Sequence, residues 1–171
     1  MWVLNAVTRF CVEVFRGIPA LTLLFVIYFG LAYLGWRIGP MTASILGLSL
    51  IGGAYLSEVF RAGLDALHHG QREAALAAGM TPAQALRYVL VPQAWLVTLP
   101  PLANYAIGLL KDTAIVSAIA APEIMFWARS LVTSTFETTL VYVLAAAIYL
   151  TLSFPLARLA DRLERRREAW R

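Results

Sequence analysis

Three groups of residues in this chain have types and spacings that could do chemistry. The first is Lys111-Asp112, adjacent opposite charges closing a long uncharged run, with Asn104 before it and Thr113 after it. Ionisable groups at membrane depth are candidates for function by default, and a solute carrying both charges could pair with them. The competing role is structural: the two bond to other protein groups and hold the end of their helix, the role their neighbours favour. The second group is Ser49 with His68 or His69, the parts of a nucleophile and its base. Such a pair must approach within about 3 Å, yet on one continuing helix these positions lie ~28 Å apart. An intramembrane serine protease is therefore a poor reading, and no catalytic residue is assigned. The third group is Glu73-Ala74-Ala75 followed by Gly79, which has no catalytic chemistry but could form a rigid contact.

Other chemistries are excluded by what is missing. Lys111 is the only lysine and sits between Leu110 and Asp112, so no phosphate-binding Gly-x-x-x-x-Gly-Lys-Ser/Thr exists and ATP cannot be hydrolysed here. Cys11 is the only cysteine, which rules out an internal disulfide and a cysteine metal site. No metal or other cofactor is expected. Met1–Phe15 carries Arg9 and Glu13 and has no small-residue cleavage site, so it is not read as a signal peptide.

The elements that must position these groups follow from composition. Of 171 residues, 60% are apolar and 14% charged, with a mean hydropathy of +0.71. Soluble domains run near 45–50% apolar and about 25% charged, so a membrane-embedded, all-α chain is predicted. Four uncharged runs, Gly17–Trp36, Ile38–Ser57, Tyr88–Leu110 and Thr138–Ala157, each reach the ~20 residues that cross a hydrocarbon core of about 30 Å. Thr113–Pro122 is too short to cross alone. Placing both termini and the middle loop in the cytoplasm leaves only Arg37 and Arg129 outside, with every other arginine inside. The formal charge of +4 thus reports topology rather than nucleic-acid binding. Residues 161–171 read as a basic tail on anionic lipid headgroups, after a transmembrane domain over residues 1–160. Reporter fusions within Glu123–Glu137 and after Arg171 should then report opposite sides of the membrane; the same side for both would refute this topology.

Two departures from plain spans are predicted. Pro100-Pro101 should kink or break the third span. From Trp95 to Lys111 the helical rise is roughly 24 Å, which puts Lys111-Asp112 toward the outer half. Between spans two and three, Gln71–Ala78 is rich in strong helix formers. Gly79 follows where a left-handed C-terminal residue is wanted. Thr81 then caps a second helix, with Pro82 at its first position and Gln84 completing a capping box. That helix should end near Val91, before Pro92. The result is a helical corner with a small face, Ala74, Ala75 and Ala78, and one acid, Glu73. Capping rules alone fit an ordinary solvated loop as well as a docking element.

The corner resembles the EAA loop of bacterial ABC-importer permeases. The likeness continues in Arg16-Gly17-Ile18-Pro19, similar to an RGTP entry with isoleucine for threonine, and in Ala54-Tyr55-Leu56-Ser57-Glu58 with Arg61. Leu90-Val91-Pro92-Gln93-Ala94, Pro100-Pro101, Asn104 and Leu110-Lys111-Asp112-Thr113 follow in the same order, and Tyr149–Arg165 also fits. The resemblance is to the polar amino-acid branch and covers nearly the whole chain. It implies a type-1 importer permease fold in the cytoplasmic (inner) membrane, acting as half of a homo- or heteromeric dimer. Glu73, Ala74, Ala75 and Gly79 would couple it to a cytoplasmic ABC ATPase, and a periplasmic or lipid-anchored solute-binding protein would deliver a polar amino acid. A related solute such as an opine or an ectoine-like osmolyte is the alternative. Members of the family usually have five spans and an outside N-terminus. The expectation here is four spans, starting after the usual first one, as in a short natural form, an incomplete gene model or a fragment.

Overall fold

The structure, a computed structural model, describes residues 2–168, with side chains for residues 2–165. Of the predicted basic tail, the side chains of Arg166 and Arg167 and the whole of Arg171 lie outside the described residues. Every regular element among the described residues is helical: α1 (Trp2–Gly17), α2 (Ala20–Phe25), a π-helical turn (Val26–Gly30), α3 (Leu31–Tyr33) and α4 (Pro40–Asp65). Then follow α5 (His69–Ala77), α6 (Pro82–Ala85), a second π-helical turn (Leu86–Leu90), α7 (Val91–Asp112), a 3-10 helix (Thr113–Ile119), α8 (Ile124–Thr135) and α9 (Thr138–Glu168).

Among the described residues three helices are long and apolar enough to cross a membrane: Pro40–Asp65, Pro82–Ile119 and Thr138–Arg165. The first predicted span differs. Its helix covers only Ala20–Tyr33, and it joins the count only when taken together with α1, from which it is bent by 105°. The cause is local. Pro19 holds an extended ψ of 136° and restarts the helix, and Gly35, at φ +88°, ends it. There the Trp36 N–H donates to Leu31 O and the Gly35 N–H to Ala32 O, closing the last turn.

Three other boundaries move for physical reasons. The second span continues to Asp65, past the charges that ended its uncharged run. Arg61 donates to Glu58 one turn before it and to Asp65, at 2.8 Å, one turn after it, so the charges support the helix. Pro92 does not stop the helix after the corner. Val91 N–H reaches back to Leu86 O across the wider π turn, and Pro92, which has no N–H to place, rides inside the continuing helix. Pro100 and Pro101 likewise sit within α7, which runs unbroken from Val91 to Asp112. Of the kink or break expected there, the break is absent.

The chain divides into two compact units, Met1–Tyr55 with Ala106–Pro155, and Leu56–Tyr105 with Leu156–Arg171. The core of the first gathers Leu24, Ala43, Val116, Ile119 and Ala121, with Ile27, Tyr28 and Ile115 packed on them. Small residues let the helices close: a Cβ on Gly47 would stand 2.8 Å from Leu24 Cδ2. A second cluster joins α8 to α9 through Ala128, Val141 and Ala145. In the other unit, Gly63 of α4 meets Thr98 of α7, and Phe60 stacks on Trp95 with ring centroids 6.3 Å apart.

Candidate functional site

The corner between α5 and α6 is built by hydrogen bonds that its own sequence supplies. His68 caps α5, its Nδ1 accepting from the Gly70 N–H at 3.1 Å. At the other end Met80 N–H donates to Ala75 O at 3.1 Å and Gly79 N–H to Leu76 O at 3.0 Å. This is a Schellman closure, and it requires the left-handed residue found at Gly79, φ +85°. Thr81 opens α6 with both halves of the capping box: Gln84 N–H donates to Thr81 Oγ1, and Thr81 N–H to Gln84 Oε1 at 2.9 Å. Gln93 of α7 then ties back to Gln71 of α5 at 3.2 Å.

These bonds fix which side chains remain available. Ala75 is buried, as is Ala85 of α6, and α5 packs against α6 and the second π turn. The small face read from the sequence therefore narrows. Ala75 is spent on the corner's own packing, whereas Glu73, Ala74, Ala78 and Gly79 stay exposed on it. Glu73 takes part in no ion pair or side-chain hydrogen bond among the described residues.

The group of Lys111, Asp112, Thr113 and Asn104 is divided. Lys111 and Asp112 are exposed at the end of α7, and Thr113 opens the 3-10 helix with its Oγ1 donating to Leu110 O at 2.6 Å. Among the described residues Lys111 and Asp112 enter no ion pair, so the expected pairing with other protein groups is not seen. Lys111 instead borders an open cleft of about 540 Å³ in the first unit. The cleft is lined by Ala114 and Ile115, by Met125 of α8, and by Tyr142, Ala146 and Tyr149 along one face of α9. Asn104 belongs to the other unit and is exposed there. His68, offered as a base for Ser49, is occupied as a helix cap.

One arrangement at the cleft was not anticipated from the sequence. Glu123 caps α8 by accepting from Met125 N–H at 2.8 Å and Phe126 N–H at 2.6 Å. The same carboxylate accepts from the Tyr149 hydroxyl at 2.8 Å. It thus fastens two cleft walls together, Met125 on α8 and Tyr149 on α9. An acid just ahead of an apolar helix was a visible capping signal; its tie to a half-buried tyrosine within a distant uncharged run was not.

Residues 1–169 match the family described as binding-protein-dependent transport system inner membrane component. The chain belongs to this family. It is 36% identical over 157 residues to the probable glutamine ABC transporter permease protein GlnM of Bacillus subtilis (strain 168), covering 92% of this chain and 73% of that protein. It is 34% identical over 167 residues to the glutamine transport system permease protein GlnP of Escherichia coli (strain K12), covering 96% of this chain and 76% of that one. Its fold matches a solved crystal structure of an amino acid ABC transporter with histidines at a TM-score of 0.92 and 38% identity, covering 97% of this chain and 78% of that chain. This permease is therefore a non-enzymatic, inner-membrane subunit of an ABC importer with the type-1 fold. Hydrolysis of ATP belongs to a partner subunit, and a substrate-binding protein belongs to the same kind of system.

Proposed function

We propose that the permease moves a polar amino acid inward as one half of a transmembrane dimer, and that the α5–α6 corner is where a cytoplasmic ATPase grips it. One observation carries the reading. An exposed acid and exposed small residues, Glu73, Ala74 and Ala78, stand on a short helix locked at one end by Gly79 and at the other by His68. A rigid corner transmits a push, whereas a flexible loop absorbs it. Small side chains permit close approach of a partner's surface, and one unpaired carboxylate can fix its register.

The solute belongs in this proposal through the relatives, named for glutamine and for amino acids in general. Lys111 supplies a cationic edge to an otherwise apolar cleft, as a zwitterion's carboxylate would need, and the next two residues, Asp112 and Thr113, are proposed as further polar positions on the route. Asn104 is proposed as a further polar position on the route. Residues 1–160 act as the transmembrane domain, and the arginines of 161–171 rest on cytoplasmic headgroups. The solute-binding protein is free or lipid-anchored at the outer face.

The experiment is uptake into proteoliposomes containing the permease with its cognate ATPase and binding protein. Glutamine, arginine and histidine are offered beside octopine and ectoine. ATP-dependent, binding-protein-dependent uptake of one of the amino acids is expected, with Lys111→Ala raising the half-saturating concentration of loaded binding protein or abolishing uptake. Uptake of octopine or ectoine alone would overturn the amino-acid reading.

A further inference from the structure

We infer that α1 is an interfacial helix, lying in the plane of the cytoplasmic membrane surface with its apolar face in the acyl chains and its arginines at the headgroups. Three observations meet on it. The axis of Trp2–Gly17 is bent by 105° from that of Ala20–Tyr33. With the latter entering the bilayer, α1 runs nearly parallel to the surface.

The helix is also two-sided, with Trp2 and Val12 the large apolar exceptions on its polar side. At the helical period Val3, Val7, Phe10 and Val14 fall on one face with Leu4 and Cys11 beside them, while Asn5, Arg9, Glu13 and Arg16 fall on the other. Among the described residues little covers the apolar side, where Val14 is half-buried and the rest of the named residues are exposed. No residue of α1 is buried, and Leu4 and Phe10 are 72% and 69% exposed. In an inner-membrane protein the solvent for such a face is lipid, and a helix of this patterning settles about 5–10 Å into the headgroup–acyl boundary.

Crossing is the poorer alternative. Arg9 and Glu13 would then be carried into hydrocarbon, where ionised groups are costly. Lying flat, Arg9 and Arg16 meet anionic headgroups on the arginine-rich side of the membrane. Neither the solute nor the ATPase enters this inference.

Cys11, the only cysteine, gives the test a native handle. The full-length permease is labelled there with a nitroxide in vesicles of phosphatidylethanolamine and phosphatidylglycerol. Its collisions with oxygen and with a water-soluble nickel chelate then report depth. A second protein carries Cys11→Ser with Asn5→Cys, moving the label to the polar face. The Cys11 label should lie just below the phosphates, with nickel accessibility several-fold lower than at Asn5. Three results would overturn the inference. They are a Cys11 label at the bilayer centre, equal nickel accessibility at both positions, and a Cys11 label shielded from both reagents, as burial against a second copy would give.

Discussion

Gly63→Leu should unfold the α4–α7 contact of the second unit and lower the permease's thermal midpoint by many degrees. A Cβ placed on Gly63 would stand 2.2 Å from Thr98 Cγ2 and 3.4 Å from Ala94 O. Thr98 cannot step aside. It is β-branched, 1% exposed, and its Oγ1 is bonded to Trp95 O at 3.0 Å. Extra atoms in a packed site cost about 1–3 kcal/mol, and leucine adds three beyond the Cβ that already collides. Even alanine must overcome the clash with only the ~1 kcal/mol it gains in helix propensity over glycine. Thr98→Ser deletes the colliding methyl and keeps the hydroxyl, so it should restore much of what Gly63→Ala loses, and the double variant measures the coupling. Gly53→Ala is the control, being on α4 with nothing within 4 Å of its Cβ. Thermal unfolding in detergent, followed by tryptophan emission, reads the outcome, since Trp95 stacks on Phe60 beside the contact. An unchanged midpoint for Gly63→Leu would show that the two helices are not held this closely.

What could be read in advance was whatever the chain encodes over a few neighbouring residues. Gly79, Thr81, Pro82 and Gln84 each have a preferred place at a helix end, and all four occupy it. The uncharged runs marked the apolar helices for a similar reason, because lipid tolerates few charges at any one depth. Boundaries failed where a second, local interaction outweighed the first signal. Arg61 pairs with both Glu58 and Asp65 on its own helix, so α4 outlasts its apolar run. A π turn carries the chain past Pro92, and Pro19 and Gly35 trim the first span from both ends. The cleft was illegible because its decisive bond joins Glu123 to Tyr149, 26 residues away. Gly63 and Thr98 meet over a similar separation, and nothing near either residue announces the other.

Gly79→Glu should separate the permease from its ATPase while leaving its own helices folded, provided the corner is the docking element proposed above. The geometry isolates the cause. Nothing lies within 4 Å of a Cβ at Gly79, so no internal clash arises, but its φ of +85° is one that side chains with a Cβ rarely adopt. The left-handed conformation costs an ordinary residue about 1–2 kcal/mol, and a glutamate adds a charge in a packed interface. Loss of a central contact commonly costs 2 kcal/mol or more, which is roughly a 30-fold loss of affinity. A series then divides strain from charge. Gly79→Asn, which tolerates the left-handed region, should stay near wild type. Gly79→Ala should fall between, carrying strain alone, and Gly79→Glu should lose the ATPase on purification or keep it without stimulation by loaded binding protein. Ala83→Glu places the same charge on exposed α6, and measures what charge does when the turn is untouched. Glu73→Ala adds a second axis: a loss of under about 1 kcal/mol marks a solvent-exposed partner, and several kcal/mol marks a desolvated arginine. Co-purification and ATPase assays read the whole series. Normal association and normal transport in Gly79→Glu would reject docking, because a corner gripped by a partner cannot absorb both a forced turn and a buried charge.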